Sequence, residues 1–384
     1  MIYYGKQFID KDDLMMVEDV LLSDFLTQGP MIEQFERRVA EYCGARYAVA
    51  VTNATSALHI GCKALGLTAG DQLWTSPITF VASANCARYC GADVDFVDID
   101  SKTYNMSVDV LEQKLKTAER LPKIVVPVHL AGQSCDMERI KELSKRYGFA
   151  VMEDASHAIG ADYKGGKVGN CRYSDLTVFS FHPVKIITTG EGGMLLTNDE
   201  ELYNKLKLYR SHGVTRDPSL MTHESDGPWY YQQVELGFNY RMTDIQAALG
   251  YSQMAKLDAF VERRRELAAR YDKLLKDLPL VTPYQSPDTN SSWHLYVVRL
   301  DRDAVKKSKV QIFNEMREKG VALNVHYIPV HTQPYYEQLG HRPEECPEAL
   351  KYYDEAFTLP LYFSLRDAQQ DYVVDCLREV LHGG

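Results

Sequence analysis

The chain has 384 residues, of which 45% are hydrophobic and 25% charged, which indicates a globular protein with one main domain and a smaller second one. Its formal net charge of −10 argues against a general nucleic-acid surface, so we expect no nucleic-acid partner. No apolar run is long enough to span a bilayer, and residues 1–13 lack the features of a signal peptide, so we expect a cytoplasmic protein without a membrane partner.

The first elements of the chain lead to a candidate anion site. After a Gly-Pro turn, apolar residues at helical spacing predict a helix over residues 31–42, and an apolar strand follows at residues 47–51. The strand runs into small and hydroxyl residues and then into an Ala/Leu-rich helix. Free N–H groups at that helix start, together with the hydroxyls of Thr55 and Ser56, would suit an anion, although simple N-capping is the alternative.

Further apolar strands alternate with helical segments as far as residue 180. They are predicted near residues 73–76, 94–97 and 124–128, and this alternation favours a parallel sheet that is covered by helices on both faces. Ligands of such sheets bind at the carboxyl ends of the strands. Four segments follow strands and are therefore expected to converge there: residues 52–56, Phe80, Asp154 and residues 180–185.

An acid and an amine stand out among these strand-end residues. Asp154 ends one apolar strand, and Lys185 follows another shortly after its end. Pyridoxal 5′-phosphate (PLP) needs a lysine amine to form a Schiff base and a carboxylate against its pyridine nitrogen. The pair therefore predicts a PLP site, with helix N-capping as the alternative role for Asp154.

The C-terminal part of the chain is predicted to form a small α+β domain. A long helix over residues 245–278 would bridge the two domains, which we place at residues 1–250 and 251–384. Within that helix, residues 263–265 are interpreted as a solvent-exposed basic face. The remaining elements are strands at residues 295–300 and 323–327 and helices at residues 305–319 and 367–381.

Other motifs do not support a different chemistry. The glycine-rich segments at residues 165–169 and 190–193 lack the spacing of a dinucleotide-binding fingerprint, and Lys167 is not followed by the Ser or Thr of a P-loop. Residues 223–227 lack the second histidine of a zinc protease, and the eight scattered cysteines are interpreted as small buried residues. We therefore predict no metal site.

Two ordered motifs resemble those of a known enzyme family. They are residues 153–157 (EDASH) and residues 180–193, which contain Ser-Phe-His, Lys185 and Thr-Thr-Gly-Glu-Gly-Gly. Together with the similarity of nearly the whole chain, they resemble the DegT/DnrJ/EryC1/StrS sugar aminotransferases. The resemblance implies a PLP-dependent transferase of fold type I, like aspartate aminotransferase, with a large, mixed but mostly parallel sheet and a smaller C-terminal α+β domain. It also implies PLP as cofactor, with pyridoxamine phosphate (PMP) as its intermediate form.

The resemblance implies a role for each matching site residue. Lys185 would be the catalytic Schiff-base lysine and proton shuttle, and Asp154 would pair with the ring nitrogen. His157 would lie beside the phenolic oxygen and Phe80 would cover a ring face. Asn239 would reach the phosphate from a second subunit, so we expect a homodimer with shared active sites. The phosphate would also be bound by Ala54, Thr55, Ser56 and Ser180.

Within the family, the chain is most similar to the pseudaminic-acid branch. This implies transfer of the amino group of L-glutamate to C4 of a UDP-linked 4-keto-6-deoxy-N-acetyl sugar. The alternatives are another 4-ketosugar, for example in 4-amino-arabinose synthesis, and a non-catalytic PLP-binding regulator. The substrate-binding residues implied are Tyr4, Asp24, Phe25, Leu26, Thr27, His326, Tyr327, Ile328 and Pro329. Arg210, Arg216 and Arg241 are unranked candidates for contact with the UDP pyrophosphate.

Overall fold

A computed structural model describes residues 1–382, so the last two residues of the predicted second domain lie outside the described part. The helices are α1 (Lys11–Leu21), α2 (Pro30–Cys43), α3 (Ala54–Ala64), α4 (Ala82–Tyr89), α5 (Val108–Thr117), α6 (Met137–Tyr147), α7 (Glu200–Arg210), α8 (Asp244–Met254), α9 (Leu257–Leu274), α10 (Lys309–Glu318), α11 (Pro334–Gln338), α12 (Pro347–Glu355) and α13 (Asp367–His382). The strands are β1 (Tyr47–Val51), β2 (Gln72–Thr75), β3 (Asp93–Phe96), β4 (Ile124–Val126), β5 (Ala150–Asp154), β6 (Asp162–Tyr163), β7 (Gly166–Lys167), β8 (Leu176–Ser180), β9 (Gly193–Thr197), β10 (Val214–Thr215), β11 (Gln232–Gln233), β12 (Leu280–Val281), β13 (Thr289–Asn290), β14 (Tyr296–Leu300) and β15 (Ala356–Leu359).

A seven-stranded sheet organises the N-terminal two thirds of the chain. Its strand order is β1-β9-β8-β5-β4-β2-β3, and the strands from β8 to β3 pair in parallel. Only β9 runs in the opposite direction, since it pairs antiparallel with both β8 and β1. Residues 181–192 connect β8 to β9 without the crossover helix that usually joins parallel neighbours. The sheet is therefore mixed but mostly parallel, as the sequence predicts.

The strands of this sheet are almost entirely buried, because helices cover both of its faces. β8 and β9 are buried along their whole length, which explains why they read as continuous apolar runs. Apolar residues of β1, β5 and β8 contribute to two core clusters. The parallel strands end at one common edge, so the residues that follow them are brought together there.

The C-terminal part corrects two predictions about secondary structure. The single helix predicted over residues 245–278 is wrong: α8 ends at Met254 and α9 begins at Leu257. Lys256 lies in this break, and its amine is 2.5 Å from Asp10 Oδ1 and 2.8 Å from Asp13 Oδ2. The strand predicted at residues 323–327 is also wrong, because that segment forms only an isolated bridge from Asn324 to Thr358.

A third correction concerns the basic run on α9. Arg264 is not on a solvent-exposed face but is 2% exposed, and its guanidinium donates to the carbonyls of Trp293, His294 and Leu361. The helix turns this side chain inward while Arg263 and Arg265 stay at the surface.

The structure agrees with the prediction that the cysteines are buried, because seven of the eight are buried and Cys90 is partly buried. No helix within residues 1–382 is long and apolar enough to cross a membrane.

Candidate active site

A cavity of about 1120 Å³ opens at the carboxyl ends of the parallel strands. The ends of β1, β5 and β8 form its floor, and the segment from Asn324 to Tyr327 of the C-terminal part closes one side. The strand-end residues that the sequence predicts to converge do so here. The predicted site residues that line the cavity are Tyr4, Ala54, Thr55, Ser56, Phe80, Asp154, His157, Ser180, Lys185, His326 and Tyr327.

One end of the cavity has the features of an anion site. The start of α3 faces it, and the first N–H groups of a helix have no acceptor within the helix. Asn53 caps this helix by accepting from the N–H of Ser56 at 2.8 Å. A side chain on Gly193 would place its Cβ 2.5–2.6 Å from backbone atoms of Asn53 and Ala54. Only glycine therefore lets β9 pass so close to residues 53–56, which we call the phosphate cradle.

Asp154 is held in place at the end of β5. The residue is 6% exposed; one carboxylate oxygen accepts from Ser83 Oγ at 2.6 Å and the other from the N–H of Ser156 at 3.1 Å. Thr79 Oγ1 lies 2.7 Å from Ser83 Oγ and extends this chain of hydroxyls. No basic side chain forms an ion pair with Asp154 within residues 1–382. The fixed carboxylate thus fits the protonated ring nitrogen of PLP.

Lys185 supplies the amine of the site. Its side chain retains some contact with the cavity, but the surrounding protein lowers the pKa of the amine to about 8 through burial, partly opposed by the charge of Asp154. A lysine with this pKa has a far larger neutral fraction near physiological pH than an ordinary lysine, and the neutral form is the one that a nucleophilic amine requires. The phosphate cradle, the carboxylate and the amine together fit PLP.

Neutral imidazoles occupy much of the remaining wall. The Nδ1 of His157 accepts from the N–H of Ala131 at 3.2 Å, so the ring carries its proton on Nε2, which lies 3.0 Å from Tyr327 Oη. Burial holds the pKa of His157 well below its usual range, and the charge of Lys185 adds to this. Burial likewise lowers the pKa of His326 to about 3, and its Nδ1 is 2.8 Å from Thr358 Oγ1.

Several predicted residues lie away from this cavity. Asp24, Phe25, Leu26 and Thr27 are exposed on the arm between α1 and α2. Ile328 is exposed and Pro329 is buried, and neither lines the cavity wall. Asn239 is exposed and does not line the cavity, whereas its neighbour Tyr240 does. Among the candidates for the pyrophosphate, Arg210 is already paired with Glu36 at 2.5 Å.

The structure also adds residues that the sequence analysis did not single out. Ser83 supports Asp154, although it lies within a helix rather than directly after a strand. His294 and Asn324 line the cavity from the C-terminal part of the chain. Ser83 could have been found from the sequence, because it follows Phe80 by about one helical turn. His294 has no such indication, since it precedes a strand.

Comparisons with known proteins agree with this site. The model of the "DegT/DnrJ/EryC1/StrS aminotransferase family" matches residues 7–378. The chain is 38% identical to the "Spore coat polysaccharide biosynthesis protein SpsC" of Bacillus subtilis, over 99% of this chain and 97% of that protein. It is 37% identical to the "UDP-4-amino-4,6-dideoxy-N-acetyl-beta-L-altrosamine transaminase" of Campylobacter jejuni, over 99% of this chain and 98% of that protein.

Solved structures show the same similarity. Helicobacter pylori PseC, described as an "aminotransferase involved in the biosynthesis of pseudoaminic acid", is 31% identical with a TM-score of 0.91, and 99% of each chain is covered. The "Putative sugar aminotransferase Spr1654" of Streptococcus pneumoniae in its PMP form is 30% identical, also with a TM-score of 0.91 and 99% of each chain covered. The same protein is known in a PLP form. The chain therefore belongs to the DegT/DnrJ/EryC1/StrS aminotransferase family and is a PLP-dependent sugar aminotransferase of fold type I.

Proposed function

We propose that the protein transfers the amino group of L-glutamate to C4 of UDP-2-acetamido-2,6-dideoxy-β-L-arabino-hex-4-ulose. The product would be UDP-4-amino-4,6-dideoxy-N-acetyl-β-L-altrosamine, an intermediate of pseudaminic acid biosynthesis. One observation carries the reaction type: the phosphate cradle, Asp154 and Lys185 surround one cavity of about 1120 Å³. The choice of sugar is supported by the Campylobacter jejuni transaminase, which is 37% identical along almost the whole chain.

Each residue of the site has a distinct task in this proposal. Bound PLP withdraws electrons from the carbon that carries the transferred amino group. Asp154 keeps a negative charge against the ring nitrogen and thereby holds the proton on it. Lys185 removes the α-proton of glutamate and later delivers a proton to C4 of the sugar. The face of the sugar ring that Lys185 approaches therefore determines the configuration of the new stereocentre.

The other side chains of the cavity would orient the sugar. Tyr4, Asn324 and Tyr327 line the wall on the side of the C-terminal part, and the ring of Phe80 lies 6.3 Å from that of Tyr327. Hydroxyl, amide and aromatic groups are suited to hydrogen bonding and stacking with a sugar that carries an acetamido group. Phe80, which is 59% exposed without a ligand, would be covered when the cofactor and the sugar are bound.

The charge of the site further supports a homodimer with shared active sites. Within residues 1–382, Lys185 is the single Lys or Arg that lines the cavity. The ligands would nevertheless bring a phosphate, a pyrophosphate and the two carboxylates of glutamate, so the site of one chain lacks matching cations and donors. We propose that a second copy completes it, with Asn239 reaching the phosphate and residues 24–27 reaching the sugar nucleotide.

Exposed apolar side chains lie on the same parts of the surface. The arm and its helix expose Leu14, Leu22, Phe25 and Leu26, and the segment before Asn239 exposes Trp229 and Leu236. Apolar groups of this size are usually covered in an assembly. Their position next to the residues proposed to cross between subunits supports the same interface.

The sugar is tested by offering holoenzyme and L-glutamate three ketosugars and identifying the products by NMR. The three are the proposed L-arabino ketone, its D-xylo epimer and UDP-4-keto-arabinose. Amination of the first alone is expected. Preference for UDP-4-keto-arabinose would instead support the alternative function in 4-amino-arabinose synthesis. In either case, loss of the cofactor's visible absorption when glutamate is added would exclude a non-catalytic regulator.

Shared sites are tested by mixing two inactive variants. Lys185→Ala and Asn239→Ala protomers are co-expressed with different tags, and the hetero-oligomer is isolated. In a dimer whose sites are shared, one of the two sites of each hetero-oligomer carries both substitutions and the other carries none, so about half of wild-type activity per dimer returns. Activity no higher than that of the two variants alone would show that Asn239 serves its own chain.

A further inference from the structure

His294 is a buried imidazole in the cavity wall without a hydrogen-bond partner. The residue is 3% exposed and lines the cavity, yet neither ring nitrogen forms a hydrogen bond within residues 1–382. Its Nδ1 is also shielded from solvent. A buried polar group left unpaired is costly, and such groups in native structures usually await a ligand or an ordered water.

The backbone around His294 is held firmly despite this cost. Trp293, directly before it, has a φ of 50°, which is a left-handed conformation that a bulky side chain adopts only under constraint. Arg264 Nη1 donates to the carbonyls of Trp293 at 3.3 Å and of His294 at 3.2 Å. The imidazole also packs on His157, with ring centroids 4.4 Å apart. The ring is therefore pre-positioned beside the proposed cofactor contacts.

The guanidinium behind His294 lacks a counter-ion. Arg264 forms no ion pair within the described part of the chain, and its Nε is buried without a partner. Burial lowers the pKa of this guanidinium to about 10, so it remains positively charged at neutral pH. A buried charge of this kind is unfavourable unless an anion compensates it. The uncompensated charge of Arg264 therefore favours binding of an anion at this wall of the cavity.

We propose that His294 forms the subsite for a carboxylate of the amino donor, with the charge of Arg264 behind it. The inference rests on the proposed function only in taking L-glutamate as the donor. A carboxylate accepts hydrogen bonds and carries the missing negative charge, whereas the hydroxyl and carbonyl groups of a ketosugar carry none. The position next to His157 places the carboxylate beside the cofactor, where the donor's α-carbon must react.

The charged state of His294 should change when the carboxylate binds. Its pKa is held well below the usual range, first by burial and then by the nearby positive charges of Lys185 and Arg264. A carboxylate within hydrogen-bond distance favours the protonated ring. Binding of an unreactive dicarboxylate should therefore draw a proton from the buffer, and this uptake should be lost when His294 is replaced, which a purely structural role of His294 does not predict.

The test uses holoenzyme and glutarate, a dicarboxylate that lacks an amino group, in calorimetric titrations in two buffers of different ionisation enthalpy. We expect wild-type protein to take up a proton on binding. His294→Phe, which keeps the ring packing on His157, should weaken glutarate binding at least about tenfold and abolish the uptake. His294→Gln should restore binding to within a few-fold of wild type without the uptake. UDP binding serves as the control and should be unchanged in both variants.

Three results would overturn the proposal. They are unchanged glutarate binding in His294→Phe, equal weakening of glutarate and UDP binding, and no proton uptake by wild-type protein. If His294→Phe does not fold, as judged by melting temperature and bound cofactor, His294→Gln decides, because it should bind glutarate to within a few-fold of wild type but without the proton uptake. The experiment contains no sugar, so an error about the sugar leaves it intact. A donor other than glutamate would appear as failure of wild-type protein to bind glutarate.

Discussion

The hydroxyl of Ser83 is expected to control the reaction through Asp154, and its removal gives the sharpest test of the site. Ser83 is fully buried and donates to Asp154 at 2.6 Å, a distance typical of a hydrogen bond to a charged oxygen. Thr79 stands behind it at 2.7 Å. In Ser83→Ala the carboxylate loses this donor and keeps the N–H of Ser156.

The size of the effect follows from that single hydrogen bond. A hydrogen bond to a charged group contributes about 1.5–3 kcal/mol, and a buried carboxylate oxygen left without it loses that stabilisation. In the proposed function the ring nitrogen of PLP depends on this carboxylate for its proton, so the lost stabilisation should slow removal of the α-proton of glutamate. Since about 1.4 kcal/mol corresponds to a factor of ten, we expect a roughly 10- to 150-fold slower reaction with glutamate.

The assay is a single turnover of holoenzyme with L-glutamate, followed by the visible absorption of the cofactor. Ser83→Thr keeps the hydroxyl and should retain most of the rate. Ser144→Ala is the matched control, because Ser144 is another buried serine, whose hydroxyl donates to a backbone carbonyl far from the cavity. If Ser83→Ala reacts within about twofold of that control, the hydroxyl has no such role and the reasoning is refuted.

Three further predictions concern the cofactor-binding groups. Lys185→Ala should abolish transamination, as measured by formation of 2-oxoglutarate, and retained turnover would remove Lys185 from its role. Gly193→Ala should lower cofactor affinity at least about tenfold in absorbance titrations, because its Cβ would come within 2.6 Å of the backbone of Ala54; unchanged affinity would mean that the cradle adjusts. In cofactor-free protein, the pKa of Lys185 is about 8 when folded and near its ordinary 10.5 when unfolded, so the unfolded state binds more protons between these values. The free energy of unfolding, measured in urea relative to Lys185→Met, should therefore rise from pH 8 to pH 10.5 by on the order of 2–3 kcal/mol, and a flat difference would contradict the lowered pKa.

The sequence predicted best those residues whose position depends on sheet topology. Asp154 and Lys185 follow neighbouring strands of a mostly parallel sheet, so their convergence needs only the direction of the strands. The helix start at Ala54 reaches the same edge for the same reason. Periodicity, in contrast, could not reveal the break between α8 and α9, because the apolar spacing continues across it while Lys256 binds acids from the beginning of the chain.

Residues fixed by tertiary contacts alone could not be predicted. Arg264 stands in a run of three arginines that looks solvent-exposed, and it is buried because carbonyls more than twenty-five residues away along the chain accept from it. His294 comes before a strand, where the topology gives no reason to expect a site residue. Its place in the cavity depends on the backbone conformation of Trp293 and on that arginine.

The same distinction explains the residues that lie outside the cavity. Asn239 and residues 24–27 are exposed, whereas the residues predicted from strand ends reach the cavity of their own chain. The sequence marks the arm and Asn239 as site residues but gives no information about which copy they serve. The lining of the cavity supports the proposed second copy, since Lys185 is the single Lys or Arg of residues 1–382 that lines it, whereas the expected ligands carry several negative charges. If the buried charge of Arg264 meets one carboxylate through His294 and the start of α3 accepts the cofactor phosphate, as proposed, the pyrophosphate is the main anion left for the proposed second copy to bind.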